Sequence, residues 1–326
     1  MTPPHPSLQA AAEWYATLLA DDASTADRAG WQAWLAQSPG NRQAWDEIEA
    51  IARQFQPLQQ TPAQRQAASS ALQAAHRVGQ AASPRRKALR SLAWLAASGL
   101  SGWLAWRHTP LRDGIAAQLA DFHTRVGETR ALQLADGTQV WLNTASALDV
   151  CYSATQRALR LVTGEVLIET AADPARAFML HTPHGQMQAL GTRFGVRLRE
   201  DSTELAVYEG AVRIHTGATH TTVTLQAGQQ TQFDCLTIGA TRTAPAEAPA
   251  WPLGMLVAHD MPLAQLATEL ARYRHGHISV APEVAGLRVL GTYPLGDSEL
   301  ALQLLAKSLP IRIRRTLPWW VSITAL

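Results

Sequence analysis

The chain has 326 residues, of which 47% are hydrophobic and 17% charged, with a formal net charge of +2. At roughly 100 to 200 residues per domain this is material for two or three domains, not one core. The low charge content and near-neutral balance exclude a disordered chain and an evenly basic nucleic-acid coat. Two cysteines, Cys151 and Cys235, exclude a disulfide-dense scaffold or a four-ligand thiol zinc site.

The first residues, MTPPHPSLQAAAEWYA, have neither a basic start nor an apolar run, so no N-terminal signal peptide is expected. Helical periodicity then recurs across residues 1–56. Ser7 is expected to cap a helix to about Ala20, with Ala11, Tyr15, Leu18 and Leu19 on one side. Thr25 is expected to cap a second, carrying Trp31, Trp34 and Leu35 at i, i+3, i+4. Ser38-Pro39-Gly40 stops it, and Asn41 is expected to cap a third with Trp45, Ile48, Ala52 and Phe55. Two helices joined by a short turn invite a helix-turn-helix reading. Charge argues against it: Arg28, Arg42 and Arg53 face Glu13, Asp21, Asp22, Asp27, Asp46, Glu47 and Glu49, a net of −4 over residues 1–56. An acidic helical unit with large aromatics suits a basic or apolar protein partner. Trp14 stands beside Tyr15 and cannot share its face.

Residues 57–87 are rich in Gln and Ala, have no aromatic and little to bury, and read as a tether open to proteases. A transmembrane helix is expected over 88–107. Its centre, SLAWLAASGLSGWLAW from Ser91 to Trp106, has no charged residue and spans about 24 Å, so Ala88, Leu89 and a snorkelling Arg90 complete it. Arg85, Arg86, Lys87 and Arg90 place the N-terminal side in the cytoplasm. The pair Arg85-Arg86 matches a twin-arginine signal only loosely, so the export route stays open.

From about 115 to 243 the hydrophobic period becomes two: TQVWLN, RALRLV, TELAVY, AVRIHT and TTVTLQ each alternate. Turn glycines Gly137, Gly164, Gly210 and Gly228 lie 27, 46 and 18 residues apart, near multiples of nine, which suggests strand-turn rungs more than long hairpins; an all-β domain follows, solenoid-like or a sandwich. Residues 251–326 mix types: a strand, a helix expected to be capped by Asp260 with Pro262 in its first turn, the strand HISVAP, a helix from Ser298 to Leu309 carrying Leu300, Leu304 and Leu305, and two final strands. This is a small α+β module.

The stretches VGETRALQLADGTQVWLNTASAL, LRLVTGEVLIETAADPARAFMLHTPHGQMQALGTRFGVRL, LAVYEGAVRI and VTLQAGQQ resemble the FecR family of transmembrane sigma-factor regulators. Its motif positions fall on Asp136, Gly137, Asn143, Gly164, Glu165, Gly191, Thr192, Phe194, Glu209 and Gly210. Residues 1–56 look like that family's cytoplasmic anti-sigma domain, and 251–326 like the short secretin/TonB N-terminal fold that closes many members. The resemblance implies a single-pass bacterial inner-membrane protein with its C-terminal region periplasmic. It implies a relay from the signalling domain of an outer-membrane TonB-dependent receptor for iron-siderophore uptake to an extracytoplasmic-function sigma factor. That factor would be gripped through Trp14, Trp31, Trp34, Leu35 and Trp45 and released with membrane-embedded and periplasmic proteases. Direct nucleic-acid binding, a cofactor, a metal and enzymatic turnover are not implied. Some members self-cleave at a Gly-Thr bond, which Gly191-Thr192 would supply, with His184 or Glu209 as base; the bland reading is a tight turn. A membrane-bound transcription factor and an envelope autoprotease or sugar-binding solenoid are the alternatives.

The pairs His181/His184 and His275/His277 lack neighbouring carboxylates or thiols that would make a metal site. Cys151 and Cys235 leave a disulfide or two free thiols open, and Asp136, Glu165 and Asp173 do not form a spaced acid pair.

Overall fold

A computed structural model describes residues 5–19, 24–59, 117, 119–245, 248–317 and 319–326. The expected span at 88–107 and the tether beyond residue 59 lie outside them. Among the described residues no helix is long and apolar enough to cross a membrane.

Three helices open the chain: α1 (His5–Leu19), α2 (Thr25–Gln37) and α3 (Pro39–Gln59). The caps differ from expectation. Ser24, not Thr25, starts α2 in a reciprocal capping box with Asp27, satisfying two of the orphan N–H groups at the helix start. The Ser38 hydroxyl accepts from Asn41 N at 3.1 Å, which frees the Asn41 side chain. Asn41 is buried, and its amide donates to Trp34 O at 2.9 Å while its oxygen accepts from the Ser7 hydroxyl at 3.1 Å. One side chain thereby ties all three helices. Ala11, Ala12, Ala44, Ile48 and Ala52 form the apolar seam between them, continued by Leu317, Trp319 and Trp320.

Residues 122–243 form two seven-stranded sheets. One has the order β1 (Phe122–His123), β4 (Ala147–Tyr152), β5 (Gln156–Thr163), β7 (Ala177–Thr182), β8 (Gly185–Ala189), β11 (Ala211–Thr216), β12 (Thr222–Gln226). The other runs from β2 (Arg130–Gln133) through β3 (Gln139–Leu142), β6 (Glu165–Glu169), β9 (Arg193–Leu198), β10 (Thr203–Glu209) and β13 (Gln229–Phe233) to β14 (Arg242–Thr243). The expected alternation is present: Val140, Leu142, Leu159, Leu161, Val166, Ile168, Phe178, Leu180, Phe194, Val196, Leu205 and Val207 are buried in a single core drawn from both sheets.

The rung expectation is corrected. Apart from the parallel pair β5–β7, neighbours are antiparallel, and hairpins such as β9–β10 and β11–β12 alternate between the two layers. The glycines do make the turns, with φ of +89° at Gly137, +86° at Gly164, +74° at Gly210 and +79° at Gly228. Gly164, Gly210 and Gly228 mark crossings between the layers, whereas Gly137 turns the hairpin β2–β3 within one sheet. What survives of the solenoid idea is that each sheet adds its strands in sequence order.

After a 3-10 turn (Trp251–Leu253) come β15 (Met255–Pro262), α4 (Leu263–Ala271), β16 (His277–Val280), α5 (Pro282–Ala285), β17 (Arg288–Pro294), α6 (Ser298–Ser308), β18 (Ile311–Leu317) and β19 (Trp320–Ala325). β15 pairs antiparallel with β17; β16, β19 and β18 form a second small sheet. Asp260 does not cap α4: it sits inside β15 at φ +51°, and Pro262 stands at the cap position. α6 is capped by Asp297, whose carboxylate accepts from Leu300 N. It buries Ala301, Leu302 and Leu305 and leaves Leu300 and Leu304 exposed, so of the expected stripe Leu305 alone packs inward. Two compact units result, one combining the helices with residues 275–284 and 312–326, the other comprising 110–274 and 285–311.

A Cβ at Gly164 would overlap Ser146, backbone included, whereas one at Gly228 meets nothing within 4 Å. Gly228→Ala should therefore cost about 1 kcal/mol, the left-handed backbone strain alone. Gly164→Ala should cost about 3 kcal/mol or more, a contrast readable by urea denaturation.

Candidate functional site

On the helical unit, Trp31 and Trp45 lie with ring centroids 4.9 Å apart, and Tyr15 lies 5.9 Å from Trp45. All three are half-buried, among the exposed carboxylates of Asp46, Glu47 and Glu49. The Trp31 indole N–H is buried without a hydrogen-bond partner. Trp14 does not join them: it packs over Gly30, where a Cβ would meet its ring at 2.8 Å. Trp34 packs on the alanine seam, and Leu35 is half-buried, its carbonyl accepting from Arg42 Nε at 3.2 Å. Of the five expected contact residues, the structure thus brings together Trp31 and Trp45. Tyr15 was assigned to the helix core in sequence, yet it extends their cluster, and the Trp319 ring lies 6.1 Å from it.

In the β domain the motif residues separate into four groups. Phe194 is core and Gly137 a turn. Asp136 and Arg157 form a buried ion pair at 2.9 Å, joined by Thr138 and Tyr152. Burial alone would raise the Asp136 carboxyl; the Arg157, Thr138 and Tyr152 donors outweigh it and hold it below the usual carboxylate range.

Asn143 and Glu165 make the third group, and sequence reasoning missed its purpose. The Asn143 amide donates to Glu165 at 3.0 Å, and the Asn143 oxygen accepts from the Tyr273 hydroxyl at 2.6 Å. Arg272 bridges Glu165 at 2.6 Å and Glu269 at 2.8 Å, and Arg197 pairs with Glu269 at 2.8 Å. The Thr144 hydroxyl donates to Arg272 O at 3.1 Å. The end of α4 is thereby latched to β6, β9 and the turn after β3. Burial works against ionising Glu269, but the two guanidiniums prevail and hold its carboxyl low.

The fourth group is Gly191, Thr192, Glu209 and Gly210. Gly191 has φ +77°, and a Cβ on Gly210 would overlap the Gly191 carbonyl oxygen. Thr192 is buried, its N–H donates to the Thr170 hydroxyl at 2.9 Å, and its own Oγ1 has no hydrogen-bond partner. Neither expected base bonds to it. His184 Nδ1 lies 3.0 Å from Thr203 Oγ1, and the exposed Glu209 carboxylate reaches only Arg193, at 4.0 Å. Cys151 and Cys235 are exposed and unbridged. Among the described residues, His, Cys, Asp and Glu form no metal-binding group of three or more.

Residues 120–213 match the family model described as FecR protein. Those residues thus carry a FecR domain. Residues 9–51 match a second model, described as a domain of unknown function. No curated protein matches the chain. Two crystal structures of one protein from Parabacteroides distasonis, whose assignment as an anti-sigma factor is itself provisional, share the fold. They superpose with TM-scores of 0.52 and 0.51 at 20% identity, covering 63% of this chain and 98% of theirs.

Because Glu269 is depressed in the fold, its ion pairs contribute fully above the ordinary glutamate value of about 4.3 and are lost as pH falls through the depressed one. Glu269→Gln should cost about 2 kcal/mol at pH 7. In thermal melts, the gap between the variant and the native chain should close as the buffer is acidified to about pH 3.

Proposed function

We propose that this chain is a single-pass inner-membrane regulator of an extracytoplasmic-function sigma factor. The observation that carries the reading is the joining, in one chain, of a FecR domain and a separately matched acidic helical unit with half-buried Trp31 and Trp45. The uncharged run 91–106 with Arg85, Arg86, Lys87 and Arg90 before it supports a span with the helices in the cytoplasm. The Parabacteroides fold relative is consistent with the role.

The sigma factor would seat on the aromatic cluster. In the membrane-threaded chain, Tyr15 and Trp319 stand in different compartments, so the ring face that Trp319 covers becomes open to that partner. The periplasmic region would answer to the signalling domain of an outer-membrane TonB-dependent receptor carrying a ferric siderophore. A lone span has no second packing arrangement to switch into. Release by membrane-embedded and periplasmic proteases, acting at the tether and span, is therefore the favoured mechanism. A helix-turn-helix bound to DNA is disfavoured by the net charge of −4 over residues 1–56.

One observation favours an added step, self-cleavage at Gly191-Thr192: the unpartnered Thr192 Oγ1. Its oxygen would add to the Gly191 carbonyl carbon, the C–N bond would break with the proton passing to nitrogen, and water would hydrolyse the resulting ester.

Residues 1–84 used as bait in a cell extract should enrich one sigma factor regardless of nuclease, and Trp31→Ala or Trp45→Ala should weaken capture about tenfold or more. Recovery of DNA-dependent material alone would overturn the reading. A membrane-permeant bismaleimide should fail to link Tyr15→Cys to Trp319→Cys in intact cells; a link would place both in one compartment. If the purified chain is split after Gly191, Thr192→Ala should abolish the cut and Thr192→Ser keep it.

A further inference from the structure

The outer face of the sheet containing β6, β9, β10 and β13 is not flush with solvent. Between it and the residues that follow the β domain lies a cavity of about 710 Å³, all within the second compact unit. That volume falls within the roughly 300 to 1,000 Å³ of small-molecule sites. Its floor is flat because Gly195 and Ala206, directly paired across β9 and β10, carry almost no side chain. The Tyr208 ring lies over Gly195, with its hydroxyl 3.5 Å from where a Cβ would stand. Trp251, in the 3-10 turn, supplies part of the opposite wall.

The hydrogen-bonding account of this cavity is one-sided. Its carboxylates are already engaged: Glu269 by Arg197 and Arg272, Glu165 by Arg272 and Asn143, and Glu204 by Arg199. Asp234 is engaged by the N–H groups of Leu236 and Thr237, each at 2.7 Å. The donors are not. The Trp251 indole N–H is buried without a partner in a residue only 5% exposed. The Tyr208 hydroxyl has no hydrogen bond among the described residues. Burial, reinforced by the Glu165 charge, pushes that phenol up to about 12, so it remains a donor at any physiological pH. At the mouth, Arg242 forms no ion pair among the described residues. A buried donor without an acceptor keeps its full desolvation cost, which an incoming acceptor would recover.

We propose that this cavity binds a small molecule bearing a carboxylate, paired by Arg242 and accepting from Tyr208 and Trp251. Two sources share that chemistry, a free peptide C-terminus and a sugar acid. The ligand would touch the β sheet on one side and Trp251 on the other, so its binding energy would add to the latch at Arg272. Nothing in this depends on the sigma-factor reading.

The test is calorimetric titration of the full-length chain with trialanine against trialaninamide, and with galacturonate against galactose. At least one acid is expected to bind, with its neutral counterpart about tenfold weaker or more. Binding confined to trialanine identifies a peptide end; binding confined to galacturonate identifies a sugar acid. Since Tyr208 holds nothing in the fold, Tyr208→Phe should preserve melting temperature while weakening the bound acid about tenfold, and Arg242→Gln should do the same. The proposal is overturned if neither acid binds, if acid and neutral forms bind alike, or if both variants bind as the native chain does.

Discussion

Arg272 sits between two carboxylates, Glu165 from the β domain and Glu269 from its own helix; its loss would leave Glu165 to the neutral Asn143 amide and Glu269 to Arg197. Breaking a largely buried ion pair from one side is more costly than never having built it, because the remaining charge keeps its desolvation penalty. The cluster therefore fixes where α4 lies, and with α4 the residues from Trp251 onward that wall the cavity. Asn143 and Tyr273 add a neutral hydrogen bond to the same place. Two residues that stand in the sequence only as motif positions, Asn143 and Glu165, are thus the sockets of a joint within the second compact unit.

Much of this was legible in the sequence, for identifiable reasons. Period-two alternation located the core strands, since a half-buried sheet leaves no other pattern. The glycines located the turns, since left-handed backbone excludes most other residues. Pairing order was not legible. Val140 and Leu142 look the same whether their strand meets a parallel rung or an antiparallel hairpin, and glycine spacing counts turns without saying which layer follows. Helix α6 starts at Ser298 as expected, but leucines at 300, 302, 304 and 305 lie all round the helix and do not say which face packs: Leu302 and Leu305 are buried, Leu300 and Leu304 exposed.

Site residues show the same division. Trp31 and Trp45 were legible as large aromatics in excess of a small core, and they do meet. Trp14 was not separable from them by residue type; what removes it is Gly30, whose missing side chain gives its ring a place on the other side of the helix pair. The latch was invisible because its partners stand 107, 128 and 130 residues apart, with no local pattern to link them. The cavity was invisible for a related reason: its floor is defined by what Gly195 and Ala206 lack.

The in-sequence order of strands in both sheets bears on how such a domain can be made. A chain delivered N-terminus first presents β2, then β3, then β6, then β9, and each strand after β2 finds its sheet partner already present. In each sheet the first strand alone waits for a partner still to come, so long-range loop closure is kept small and unpaired edges are short-lived. The exception is the Arg272 joint, which cannot close until α4 has arrived. A vectorial builder of this kind would assemble its sheets progressively as the chain is delivered and turn the joint last, as the step that marks the domain as complete.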